Sequence, residues 1–351
     1  MSHRHLGAAT LSGSITADLA ARALVTLALT AALCPVAVSV LRRRNVVDSP
    51  NGRSSHVVPT VSGGGVAPAL ACLAVLATTG AVDRSQIFAA LLVAALIGGI
   101  GFVDDVLDGL SVTGRLAGTA AVALVGAAVV VQDWDRSPLL RVGVVLVGAF
   151  VIVGFVNAFN FMDGINGISA LSAAAMGAVY LAAGLVGDAP IVATVGAVVT
   201  AAALGFLPFN APVARVFLGD TGSYFFGALL GVLALLVVRE GLPVDVAVAP
   251  MAVYLGDTVW TLVRRVRAGQ RWSEAHRSHA YQRLTSAGWS HLAVALLVGG
   301  LTLTCGLLGL VSLAGGVVAR GLAAVAVAAL VLAYLVLPAR LSERQLAEVE
   351  I

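Results

Sequence analysis

Runs of about twenty apolar residues alternate with short polar stretches along most of the chain, as in QIFAALLVAALIGGIGFV over 86–103. A helix needs roughly 20 mostly apolar residues to cross a bilayer. The pattern predicts membrane spans near 17–41, 63–82, 86–103, 116–131, 139–157, 168–187, 189–207, 223–238, 245–263, 292–311 and 317–337, about eleven, or ten if one is miscounted. Several are rich in glycine, which suits close helix packing in lipid. The expected fold is therefore all-α and polytopic, a single integral membrane domain over 1–351 with short loops and no internal repeat.

Composition strengthens this reading. Of 351 residues 59% are apolar and 11% charged, and the mean hydropathy is +0.99; soluble chains carry charge on about a quarter of their residues. Large soluble domains are excluded. All 21 basic residues are arginine, and their distribution orients the chain by the excess of positive charge in cytoplasmic loops. Loops 42–62, 104–115, 158–167, 208–222 and 264–291, with the tail after Pro338, hold 14 of the 21. An outside N-terminus and a cytoplasmic C-terminus are expected. Cys34, Cys72 and Cys305 sit inside apolar runs without metal-ligand or disulfide spacing.

The outer loops are chemically plain, whereas the inner ones carry five polar clusters. Asp104 and Asp105, with Asp108, follow an apolar run, where ionised carboxylates are costly unless solvated or facing a cation. Mg²⁺ with phosphate is one solution, since this ion takes one or two carboxylates together with substrate phosphates and water. Asn157, Asn160 and Asp163 recur every three residues, which would put them roughly on one side of a continued helix ahead of Gly164 and Gly167. Asp220 lies between Gly219 and Gly222 at the start of a span. Helix N-terminal N–H groups favour phosphate, an acidic residue there repels it unless a metal intervenes, and Asp220 is accordingly the first choice of metal ligand. The last inner loop holds His276, Arg277 and His279, a spacing suited to a diphosphate. Arg53 with His56 forms a weaker basic site, Arg264, Arg265 and Arg267 are read as topology-setting, and His3, His5 and His291 as background.

At these positions the chain resembles the polyprenyl-phosphate N-acetylhexosamine-1-phosphate transferases, glycosyltransferase family 4, which include the phospho-N-acetylmuramoyl-pentapeptide transferases and the enzymes that initiate O-antigen and teichoic acid synthesis. The resemblance covers residues 42–285 and rests on R-S-S-H-x-x-P with its glycine run, F-V-D-D, N-x-x-N-x-x-D-G-I-N-G, F-L-G-D-T-G-S and H-R-S-H-A-Y-Q-R-L. The last motif departs from the triple-histidine form of the muramoyl-pentapeptide enzyme and looks more like the O-antigen or capsule-initiating branch. What the resemblance implies is attack of a polyprenyl phosphate on the sugar-bearing phosphorus of a UDP-N-acetylhexosamine, or a 6-deoxy relative, with release of UMP. By that match Asp220, helped by Asn160, would hold Mg²⁺, for which Mn²⁺ could substitute. Asp104 and Asp105 would position or deprotonate the lipid phosphate, and Asp163 matches the catalytic motif. Asn166 would touch the uridine, and Arg277 and His279, with His276, Arg53 and His56, would bind substrate. The implied setting is the bacterial inner membrane with a cytoplasmic active site and membrane lipid around it; no nucleic acid is expected, and a homodimer is compatible with this reading.

Two alternatives remain at this level. Asp104-Asp105-Val106-Leu107-Asp108 reads as the D-D-x-x-D of Mg²⁺-dependent intramembrane prenyltransferases, which would need a second aspartate-rich motif. A transporter would place its charged residues mid-span in paired broken helices, whereas here they gather at one face.

Overall fold

The computed structural model describes residues 2–50, 58–79, 84–107, 110–271 and 276–349. The chain opens with α1 (Ser2–Arg43) and a two-stranded antiparallel pair, β1 (Val47–Asp48) and β2 (Thr60–Val61), in which Val47 faces Val61. Then come α2 (Val66–Ala77), α3 (Arg84–Leu107), α4 (Val112–Val131), α5 (Pro138–Met162), α6 (Ile168–Val186), α7 (Pro190–Asn210) and α8 (Gly219–Arg239). The short α9 (Val244–Val248) leads through a 3-10 turn into α10 (Ala252–Arg267), followed by α11 (Ala280–Ser286), α12 (His291–Leu310) and α13 (Val317–Val349).

Local sequence sets several of these boundaries. Ser111, Ser137 and Ser290 each accept a hydrogen bond from the backbone N–H three residues on, starting α4, α5 and α12, the usual remedy for unpaired N–H groups at a helix start. Pro138 follows as the first residue of α5, where its missing N–H costs nothing.

Among the described residues, ten helical segments are long and apolar enough to cross a bilayer, from Thr16–Arg43 to Val317–Leu341. The expected span over 63–82 is the exception. Its helix, α2, has 12 residues, about 18 Å against a hydrocarbon core of about 30 Å. It nevertheless runs from one end of α1 towards the other. Gly63 lies by Leu41, and Arg22 donates to the Thr78 hydroxyl at 3.5 Å. The short helix is buried against its neighbours rather than lipid along Ala67, Ala71, Cys72, Val75 and Leu76.

Helix α8 forms the middle of the bundle, packed chiefly against α3 and α5. It is 94% buried over its apolar window, whereas α13 is 17% buried and lies at the periphery. Phe155 and Phe159 of α5, Phe226 of α8 and Tyr254 of α10 make edge and tilted ring contacts at 5.2–6.3 Å. The N-terminus of α8 meets the C-terminal ends of α3 and α5 at one end of the bundle, and the polar clusters collect there.

Candidate active site

The site is built around the first turn of α8. Gly219 has φ +73°, a left-handed backbone that a side chain rarely adopts, and it turns the chain from the segment Val216–Leu218 into the helix. That segment lies alongside the glycine run. The Phe217 N–H donates to the Val61 carbonyl at 2.8 Å, Gly64 N–H to the Phe217 carbonyl at 2.9 Å, and Gly65 N–H to the Leu218 carbonyl at 2.8 Å. On the other side α3 closes in at Gly101, where a Cβ would collide with the Asp220 carbonyl.

Asp105, at the end of α3, accepts hydrogen bonds from the Asp220 N–H at 3.0 Å and from the Thr221 N–H and hydroxyl at 2.8 and 2.6 Å. Its carboxylate thus satisfies two of the open N–H groups of the α8 terminus, a favourable place for negative charge. Asp105 fixes the turn that carries Asp220, and it also lines the cavity at that turn. Asp104 bonds Arg115 of α4, and the same Arg115 Nη1 reaches Asp220 Oδ2 at 3.2 Å. Asn160 donates through Nδ2 to Asp220 Oδ1 at 2.8 Å and to Ser223 Oγ at 3.0 Å. Asn160 therefore orients Asp220 in this arrangement through its amide nitrogen.

Asp104, Asp105, Asn160 and Asp220 line one wall of a cavity of about 1330 Å³ that also includes Asp163, Gly164, Asn166, Asn210, Gln282 and His291. Five aspartates (Asp48, Asp104, Asp105, Asp163 and Asp220) and one arginine (Arg44) line it. Asp163 terminates α5. Burial, reinforced by the charges of Asp220 and Asp105, pushes its carboxyl up to about 8. The surplus of carboxylates would repel a phosphate ligand unless a cation came with it. Among the described residues no three His, Cys, Asp or Glu side chains form a metal cage. Mg²⁺ does not need one when a substrate phosphate completes its shell, and the Asp220 carboxylate, with about four lone-pair sites, retains acceptor capacity beside Asn160 and Arg115.

The other expected residues divide. Asn166 lines the cavity, donating through Nδ2 to the Pro212 carbonyl at 3.1 Å. Asn157 does not join the cluster, because its amide bonds back to the Val153 carbonyl at 2.8 Å within α5. Arg277 is exposed, and His276 pairs its Nδ1 with the Ser278 hydroxyl at 3.0 Å. His279 departs from the expected phosphate contact. It is 3% exposed and does not line the cavity, and its Nδ1 lies 3.1 Å from the Asp257 carboxylate. Arg53, His56 and Asp108 lie outside the described residues.

Sequence reading missed Arg115, the cation between two aspartates, and His291, whose Nδ1 accepts the Asn166 N–H at 3.4 Å. Neither stands in a polar cluster. Asp257 was also missed, being a single carboxylate inside an apolar helix, and that isolation was the available signal.

An acidic, loop-lined cavity at one end of an all-helical membrane bundle defines a multi-pass membrane enzyme. Residues 87–238 match the model of glycosyl transferase family 4. The decaprenyl-phosphate N-acetylglucosaminephosphotransferase of Mycobacterium leprae is 33% identical over 313 residues, covering 74% of this chain and 75% of the relative. The protein of the same name from Mycobacterium tuberculosis is 31% identical, covering 73% of each. A phospho-N-acetylmuramoyl-pentapeptide-transferase of Anoxybacillus flavithermus is 30% identical over 80% of this chain and 94% of its own length. The chain belongs to glycosyl transferase family 4.

Proposed function

We propose that this protein transfers N-acetylhexosamine 1-phosphate from a UDP-sugar to a polyprenyl phosphate at the cytoplasmic face of a bacterial plasma membrane. A lipid-phosphate oxygen attacks the sugar-bearing phosphorus. The new P–O bond forms as the bond to the bridging oxygen breaks, and the electron pair leaves with UMP. The observation that carries this reading is the junction of three separate motifs at Asp220, where Asp105 fixes the backbone, Asn160 orients the carboxylate and Arg115 links it to Asp104.

Asp220 is the residue we assign to Mg²⁺, with Asn160 holding it in place; the bound ion supplies charge neutralisation on the diphosphate. The phosphate acceptor is largely dianionic at neutral pH, its second pKa being about 6, so the chain's task is positioning and charge compensation more than proton removal. Arg115, behind the cavity wall, offsets the charge of Asp104 and Asp220 and holds the two carboxylates together. Asn166, with Asn210, Gln282 and His291 nearby, forms the end of the cavity suited to a nucleoside, which offers only neutral hydrogen-bonding groups.

The test is to incubate the purified protein in lipid nanodiscs with polyprenyl phosphate and a panel of UDP-sugars, following UMP. Release is expected with a UDP-N-acetylhexosamine, and only when both polyprenyl phosphate and Mg²⁺ or Mn²⁺ are present. UMP formed without the acceptor, or consumption of isoprenoid diphosphate in place of UDP-sugar, would refute the assignment.

A further inference from the structure

Asp257 lies in α10, away from the cavity wall, and is fully buried. A buried carboxylate is costly unless its acceptor sites are filled, and here they are. The Ala280 N–H approaches both oxygens at 3.0 and 3.1 Å, the Thr261 hydroxyl donates at 3.1 Å, the Tyr334 hydroxyl at 2.7 Å, and His279 Nδ1 lies at 3.1 Å. An ionised carboxylate only accepts, so this set assigns the proton of His279 to Nδ1. Three of the donors come from outside α10: His279 and Ala280 at the start of α11, and Tyr334 from α13.

What Asp257 holds leads directly to the cavity. Next to Ala280, the Tyr281 ring stacks on His279 with centroids 5.8 Å apart, and its hydroxyl donates to the Phe161 carbonyl at 2.9 Å. This bond ties α11 to the last turn of α5, two residues before Asp163, where the Tyr281 hydroxyl occupies the space a Cβ on Gly164 would need. One residue further, Gln282 accepts the His279 N–H at 3.2 Å and lines the cavity. His279 itself packs between Phe161 at 6.1 Å and His276 at 5.0 Å.

We propose that Asp257, braced by Tyr334, is a positioning residue that locks His279 and the start of α11 against the donor-nucleotide end of the cavity. The peripheral helix α13 thereby takes part in forming the site. The proposal rests on the functional reading given above.

Asp257→Asn keeps the shape but removes the charge and places an amide donor where donors now point, three at Oδ1 and two at Oδ2. It should raise KM for the UDP-sugar by about tenfold or more, the loss of one to two charge-assisted hydrogen bonds. KM for polyprenyl phosphate and the Mg²⁺ half-saturation should stay within about twofold, because Asp220, Asn160 and Arg115 do not touch this network. Tyr334→Phe, which removes one donor and keeps the ring, should show the same split at about threefold with the thermal midpoint preserved. The Asp257→Asn, His279→Ala double variant should be no worse than His279→Ala alone. In protein labelled with ¹⁵N-histidine, Asp257→Asn should shift the Nδ1–H signature of His279, which loses its charged acceptor. Equal changes in both substrates and the metal, accompanying lost stability, would overturn the proposal, as would additive effects in the double variant. If Asp257→Asn does not fold, the kinetic split of Tyr334→Phe decides. Failure of the parent protein to release UMP would overturn the functional reading itself; normal parent turnover with no donor-specific effect in the variants would overturn this role alone.

Discussion

Asp220 and Asn157 illustrate how differently two polar side chains near the site behave. Asp220 holds Arg115 and Asn160 on its two oxygens at the cavity wall, whereas Asn157 spends its amide on its own helix. Asp220→Asn should therefore abolish UMP release while the protein still folds, and Asn157→Ala should alter kcat/KM by no more than about twofold; both are read in the nanodisc assay. Asp163 offers a test independent of turnover. Its carboxyl is raised to about 8 from an ordinary value of about 4, so the folded state holds a proton that the unfolded chain has released over that interval. The resulting stability is fully present below about pH 4 and lost as pH rises to about 8. Without added metal, the thermal midpoint should fall across pH 5–8, and Asp163→Asn should flatten the slope. Cys34, Cys72 and Cys305 are free and buried, so a thiol-reactive dye can report the unfolding.

At the level of elements, the acidic junction depends on the close approach of α3 and α8. Gly101 sits where any Cβ would strike the Asp220 carbonyl. Gly101→Ala should separate the two helices locally, cost about 1–3 kcal/mol of stability and lower turnover, measured as a fall in thermal midpoint together with reduced UMP release. A variant with parental stability and rate would mean that the helices can part without disturbing Asp220. The glycine run at 63–65 was legible in sequence as part of a motif, but its partner was not. Its hydrogen bonds to Phe217 and Leu218 join segments about 150 residues apart, a pairing that no local periodicity encodes. For the same reason the twelve-residue α2 was expected as a full span: apolar composition marks a buried segment without saying whether lipid or protein covers it.

For the whole molecule, the sidedness can be read directly. In a background with Cys34, Cys72 and Cys305 replaced, single cysteines at the exposed positions Thr113 and Ala268 should label from the cytoplasmic side, and one at exposed Asp135 from the opposite side. Labelling of Thr113 and Ala268 from different faces would dismantle a shared site. The all-helical class, nearly all the crossings and the gathering of Asp104, Asn160, Asp163 and Asp220 at one end were determined by the sequence itself, because run length and loop polarity are local properties that the bilayer enforces. Tertiary packing decided the rest. It gave Asp105, on the cavity wall, the task of clasping the α8 terminus, brought in Arg115 across 105 residues of chain, placed His291 on the cavity wall and drew His279 back onto Asp257. Those assignments depend on which helix ends meet, and that is set by how whole apolar surfaces fit together rather than by the spacing of residues within any one segment.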